Sequence, residues 1–207
     1  MDSVKPQTSG TADRRSRRDR EATRVRMVEA ARQLFLERGY AATTIPAIAT
    51  RAGVAVPTIY WAFGSKRAIV AEIRGEWLAA AQTSVRLEEV LRIDDPGARF
   101  DAYAAFMTNQ WATGAEALAI QQDARRADPE VASEIEEVLA ERAERLAAVI
   151  APLGPVLREG LALETARDIL LAISLVEVYR ELAGRGWTNE QYRDWLARSL
   201  REQLLGT

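Results

Sequence analysis

The chain contains neither cysteine nor histidine. Without cysteine it has no disulfides and no thiolate metal ligands. Without histidine it lacks the commonest general base and the commonest metal ligand, so no Ser-His-Asp or Cys-His apparatus can be assembled. No metal site, cofactor or catalytic residue is therefore expected. An enzyme would have to rely on carboxylates such as Asp94-Asp95 or Glu136-Glu137. Neighbouring residues on a helix point apart, so neither is an acid/base pair, and an enzyme is not expected. Uninterrupted apolar runs of 18 residues are also missing, which excludes a transmembrane helix, and the N-terminus has no apolar signal-peptide segment. A cytoplasmic location with no membrane partner is the default expectation. Glycine and proline are sparse, 12 and 7 of 207 residues, and placed singly, while 48% of residues are apolar. That composition describes a helical chain with a real core.

The charge is unevenly distributed. The net charge is only −2, yet residues 1–75 hold 14 Lys/Arg against 7 Asp/Glu, and residues 76–207 hold 14 against 23. A basic first third on an acidic body suggests that the first part meets a polyanion. Residues 1–20 are polar and without an apolar stripe, and they read as a disordered arm. Arg14, Arg15, Arg17, Arg18 and Arg20 crowd its end. Two readings stay open there: a solvated charge run, or an arm that reaches DNA phosphates or the minor groove.

Helical periodicity takes over near Thr23. Met27, Val28, Ala31, Leu34 and Phe35 form one stripe, and Gly39 ends it. Thr44 offers an N-cap to a short helix with Pro46 in its first turn and Ile45, Ile48 and Ala49 on its buried side. Gly53 makes a tight turn, and a second short helix runs over about 56–62 with Ile59 as its anchor. Gly64 turns the chain again, and Ser65 caps a long fourth helix without a strong breaker until Asp94-Asp95-Pro96-Gly97. Two short helices joined by a glycine turn, each too short to stand alone, are the signature of a helix-turn-helix. The rest is helical throughout. Segments run over about 96–113, 116–125 and 128–151, then 161–183, apolar around most of its circumference, and 189–205. The expectation is an all-α protein of about nine helices. It divides into a basic arm over 1–20, a helix-turn-helix domain over 21–66 and a larger helical domain over 67–207.

Residues 24–70 resemble the DNA-binding domain of the tetracycline-repressor (TetR) family of bacterial transcription regulators. The resemblance is carried by Ala30-Ala31 with Leu34-Phe35, Arg38-Gly39-Tyr40, Ala42-Thr43-Thr44-Ile45, Ile48-Ala49, Ala52-Gly53-Val54, Thr58-Ile59-Tyr60 and Phe63-Gly64-Ser65-Lys66. The closing GWTNEQYRDWLARSL also looks like the end of one subgroup. The resemblance implies a nine-helix, Ω-shaped homodimer with two reading heads on a double-stranded DNA operator. It also implies repression relieved by a small-molecule effector held in the C-terminal domain. A nonspecific architectural DNA-binding protein is the competing reading.

Carried onto this sequence, the resemblance makes Thr44, Tyr60 and Lys66 phosphate contacts; otherwise they are a cap, a half-buried aromatic and a solvated lysine. Thr58 and Trp61 fall on the reading face. With Arg24, Val56 and Pro57 they complete the expected DNA contacts. The family often has serine where Ala55 stands, so the reading helix lacks its side-chain cap, a loss of about 1 kcal/mol unless something replaces it. Ala55, Val56 and Pro57 have no hydrogen-bonding side chains, so much of the base reading is expected to be apolar contact with thymine methyls. Trp77, Tyr103, Phe106, Met107 and Trp111 either line an apolar cavity for a hydrophobic or aromatic effector or pack as plain core. Asp101, Glu116 and Asp123 either answer a cationic ligand or face water. Leu171, Leu175, Val178, Leu182, Tyr192, Trp195, Leu196 and Ser199 are the expected dimer interface. The 161–183 segment has more apolar surface than one partner surface can cover, and either a second copy or the rest of the same chain buries the remainder.

Overall fold

The computed structural model describes residues 9–206. Among them are eleven α-helices, one 3₁₀ turn and no strand. The helices are α1 (Ser9–Ala42), α2 (Ile45–Ala52), α3 (Val56–Phe63), α4 (Lys66–Ala80), α5 (Thr83–Leu91) and α6 (Pro96–Thr113). They continue with α7 (Ala115–Ala127), α8 (Pro129–Ile150), α9 (Leu163–Ile173), α10 (Val176–Gly184) and α11 (Asn189–Leu204), with the 3₁₀ turn at Ala151–Val156 after α8. No described helix is long and apolar enough to cross a membrane.

The count exceeds nine because two expected helices are broken at residues that are neither glycine nor proline. Gln82 adopts a left-handed conformation (φ 53°, ψ 38°) and separates α4 from α5. This leaves Val85 half exposed rather than on a continuous apolar side. The 161–183 helix stops at Ser174, which is fully buried. The Ser174 carbonyl accepts the indole N–H of Trp111 (3.1 Å), and its hydroxyl accepts from the Tyr103 phenol (3.0 Å) and donates to the Leu170 carbonyl. Side chains of α6 thus hold that break in place.

Residues 9–20, expected to be part of a disordered arm, are helical. From Ser9 the chain is already in α1, which continues to the left-handed Gly39; residues 1–8 lie outside the described residues. No glycine or proline interrupts residues 11–38, and Arg, Glu and Ala are strong helix formers. The helix therefore extends past the point where its apolar stripe fades.

The chain forms two compact units. One is Met1–Ile73 with Ala119–Asp128; the other is Arg74–Leu118 with Pro129–Thr207. The boundary thus follows Ile73 rather than Lys66, and most of α7, from Ala119 on, joins the first unit.

In the first unit, Met27, Val28, Ala31, Leu34 and Phe35 of α1 bury the expected stripe with Ile45, Ile48 and Ala49 of α2, Ile59 of α3, and Ile69, Val70 and Ile73 of α4. The turn from Gly39 to Thr43 is fixed by polar contacts. The Thr43 hydroxyl reaches the carbonyls of Gly39 (2.8 Å) and Leu34 (3.1 Å). Asp123 accepts the Tyr40 backbone N–H (2.6 Å), and Asp128 accepts the Tyr40 hydroxyl (2.9 Å). Asp123 is therefore a structural acceptor rather than a ligand group.

In the second unit, α6 packs on α11. Phe100, Tyr103, Ala104, Met107 and Trp111 are buried, as are Tyr192, Leu196, Leu200 and Leu204. Asp95 caps α6 by accepting the Ala98 N–H (2.7 Å), and Thr188 and Gln191 form a capping box on α11. Asp101 pairs with Arg201 across the two helices. Arg99 is 4% exposed and pairs with no carboxylate among the described residues. It donates to the carbonyls of Ile93 (2.7 Å), Val149 (3.2 Å) and Leu91 (3.4 Å), tying the end of α5 to the end of α8. Gly114 lies so close to Trp77 that a Cβ would stand 2.5 Å from the indole ring.

Candidate nucleic-acid interface

The helix-turn-helix assembles from local chemistry. Thr44 is extended and its hydroxyl accepts the Ala47 N–H (3.3 Å), capping α2, with Pro46 in the first turn where a missing N–H costs nothing. At the other end Gly53 is left-handed (φ 67°, ψ 40°). The Gly53 N–H reaches the Thr50 carbonyl (3.3 Å) and the Val54 N–H reaches the Ala49 carbonyl (3.0 Å). These paired bonds are a Schellman closure, and they set the angle at which the chain enters α3.

Ala55 precedes α3 in extended conformation and makes no side-chain cap, as the sequence implies. The expected loss is largely avoided. A capping side chain serves the N–H groups of the second and third helical residues. Here the second is Pro57, which has none, and the third, Thr58, donates to the Ala55 carbonyl (2.9 Å). Serine at 55 would find little to cap.

Along α3, Ile59 alone is buried. Val56 and Thr58 are half-buried, Pro57 and Tyr60 are exposed, and Trp61 is 79% exposed. An indole left in water at that level is costly apolar surface unless another surface covers it. Beside it, Arg17, Asp19, Arg20, Glu21 and Thr23 of α1 and Thr58, Trp61 and Ala62 of α3 are among the residues that line an open cleft of about 800 Å³. The arginine arm, being helical, brings guanidinium groups to the same face as Trp61.

Arg24 and Lys66 have other occupations. Arg24 grips the Glu72 carboxylate with two nitrogens (2.9 and 2.7 Å), donates to the Ala62 carbonyl (3.0 Å) and lies 4.5 Å from the centre of the Phe63 ring. This fork-to-fork pair braces the end of α3 against α4. The Lys66 ammonium donates to the carbonyls of Tyr40 (2.8 Å) and Thr43 (3.0 Å) and sits 4.0 Å from the centre of the Tyr40 ring. Partial burial holds its pKa below the usual lysine value, while the Asp128 charge acts the other way. Both cations position the reading helix. Their side-chain connections span 23 to 48 residues, a distance at which sequence spacing carries no signal.

The expected effector residues are all buried: Trp77, Tyr103, Phe106, Met107 and Trp111. Trp77 donates its indole N–H to Thr113 (3.3 Å). Burial raises the Tyr103 phenol to about 12, and burial also raises Tyr192. A phenol raised in the fold favours its neutral form. That stabilisation is complete below the unfolded phenol value of about 10 and is lost as pH climbs through the folded values. The melting temperature should therefore hold up to about pH 10 and fall above it, less steeply in Tyr103→Phe; an unchanged slope in that variant would remove Tyr103 as a cause.

Of the expected dimer residues, Tyr192 and Leu196 are buried in their own chain, at 1% and 0% exposure, and belong to its core. The α11 stripe turns them toward α6. Leu175 is 45% exposed, and Leu171, Val178, Leu182, Trp195 and Ser199 are half-buried. No residue of α10 is buried, although Val176, Val178 and Leu182 lie on it.

Residues 27–73 match the sequence profile described as bacterial regulatory proteins, tetR family. Over 57 residues the chain is 42% identical to the HTH-type transcriptional regulator TtgR and to the probable HTH-type transcriptional regulator ArpR, both of Pseudomonas putida. That match covers 28% of this chain and 27% of each relative, so it spans about a quarter of their length. Among solved structures, the SmeT–triclosan complex is similar with a TM-score of 0.71 at 21% identity, over 89% of this chain and 92% of that one. NalD, the secondary repressor of the MexAB-OprM multidrug efflux pump in Pseudomonas aeruginosa, also gives 0.71 at 21% identity, over 91% and 98%. The transcriptional regulator FadR from Bacillus subtilis in complex with stearoyl-CoA gives 0.65 at 20% identity, over 85% and 96%. At these identities the structural likeness is one of fold.

Proposed function

We propose that this chain, which carries at residues 27–73 the DNA-binding domain of the tetR family of bacterial regulatory proteins, is a homodimeric cytoplasmic repressor. It reads a pseudo-palindromic operator and is released by a small hydrophobic or aromatic effector. The carrying observation is the outer face of α3, where Trp61 and Tyr60 stand exposed beside the cleft lined by Arg17 and Arg20. That pairing suits a helix in the major groove flanked by phosphate contacts. The half-buried apolar side of α10, with Leu175 exposed beside it, supports a second copy, because such a face is stable only when covered. The relatives named as regulators, and structural neighbours solved with triclosan and stearoyl-CoA, support an effector-released switch.

The test is selection of bound fragments from genomic DNA, followed by footprinting and salt titration. One protected palindrome is expected; protection spread along the fragment would favour the architectural reading. Trp61→Ala should weaken binding to the selected site at least about tenfold while leaving the salt dependence unchanged. Arg20→Ala should instead lower the slope of log K against log salt by about one. If the two variants lost affinity in the same salt-dependent way, the division between base face and phosphate face would be wrong.

A further inference from the structure

The second unit holds a cation with no anion. Arg142 of α8 is half-buried and lies beside Trp111 of α6. Its guanidinium carbon is 5.1 Å from the centre of the Trp111 ring, and one nitrogen is 3.9 Å from the Met107 sulfur, a weak acceptor. No described carboxylate stands within ion-pairing distance of it. Exposed Glu177 acts on it only at longer range, and Arg145 adds a like charge. Burial lowers the Arg142 pKa, the mark of a charge held away from water without full compensation. Near it is an orphan donor. The Tyr192 hydroxyl is buried and makes no hydrogen bond. It lies beside the Trp111 indole, but that N–H is committed to the Ser174 carbonyl (3.1 Å). The field of Arg142 reaches both the Tyr192 and Tyr103 phenols, so the guanidinium and these hydroxyls belong to one neighbourhood.

A half-buried cation without a carboxylate and a buried unpaired O–H are each unfavourable, and native structures rarely keep the second without use. Both are satisfied by the same chemical group, a carboxylate, which offers two oxygens to a guanidinium fork and a lone pair to a phenol. Trp111 and Met107 beside them provide an apolar wall for a ring. We infer that the effector site of this protein takes an aromatic carboxylate, its acid group held by Arg142 and the Tyr192 hydroxyl and its ring against Trp111 and Met107. The inference rests on the effector-released reading above and narrows it from hydrophobic molecules at large to organic anions.

Titration calorimetry on the full chain tests it with two probes of one shape, 2-naphthoate and its neutral amide, 2-naphthamide. Naphthoate should bind at least about tenfold more tightly than naphthamide. Arg142→Gln should abolish that preference and Arg142→Lys should keep part of it. Tyr192→Phe should weaken naphthoate several-fold while leaving the unliganded melting temperature unchanged or higher, since the lost hydroxyl has no partner. That combination would not arise from a merely structural role. If the amide binds as well as the acid, the anion site is wrong and the hydrophobic-effector reading stands. A preference that persists in both Arg142→Gln and Tyr192→Phe also overturns the anion site. If neither probe binds, the anion site falls together with the aromatic pocket. Should Arg142→Gln fail to fold, the comparison of acid with amide in the native chain and the Tyr192→Phe result decide.

Discussion

Gly39→Ala is expected to destabilise the first unit by about 3 kcal/mol, the sum of a backbone and a steric cost. Gly39 sits at φ 80°, ψ 164°, a region that residues with a Cβ scarcely enter. A Cβ there would also stand 3.0 Å from the Asp123 carboxylate oxygen that accepts the Tyr40 N–H. Asp123 would have to give by a few tenths of an ångström, lengthening its short bond to that N–H. Urea unfolding followed by amide exchange in α1 and α2 measures the loss. Because Asp123 accounts for the steric part alone, Gly39→Ala in an Asp123→Ala background should lose less than in the native chain. A Gly39→Ala variant within about 0.5 kcal/mol of the native chain would mean that the turn relaxes freely. DNA affinity should fall with stability, since this turn sets the start of α2 and receives Lys66 from the start of α4.

Arg99→Met should cost the second unit a similar amount, about 3 kcal/mol, through a different mechanism. The substitution keeps much of the apolar stem and deletes the donors. The carbonyls of Ile93, Leu91 and Val149 then lose their guanidinium partner, in a site where Arg99 is 4% exposed. Each acceptor left unsatisfied away from water costs about 1–3 kcal/mol. Arg185→Ala is the control. Its partner Glu181 lies one helical turn away and both side chains are more than two-thirds exposed, so the change should be small. If Arg99→Met and Arg185→Ala melted alike, carbonyl capping would not be what Arg99 contributes.

The helix-turn-helix was legible because its punctuation is local. Thr44, Pro46, Gly53 and Gly64 each act within four residues, and the structure realises them as a cap, a first turn, a Schellman closure and a C-cap. The failures came where the determining partner is remote. Ser174 ends a helix through Trp111 and Tyr103, more than sixty residues earlier. The pairing of Arg24 with Glu72, 48 residues on, is likewise invisible in local spacing. Tyr192 and Leu196 look like interface when α11 is considered alone and become core once α6 packs on it. The helix over 9–20 has another reason for being illegible: it carries no apolar periodicity, the signal by which a helix is read from sequence.

The sharing of α7 with the first unit bears on the order of synthesis. When residue 73 leaves the ribosome, all the residues of the family match have been made, yet the Tyr40 turn still lacks both carboxylates that hold it. Asp123 and Asp128 emerge some fifty residues later. The nascent head therefore has a waiting period, a few seconds at bacterial elongation rates of roughly 5–20 residues per second. During that time α2 and α3 hang on an unfinished hinge, and a fragment stopped at residue 73 would remain in that condition.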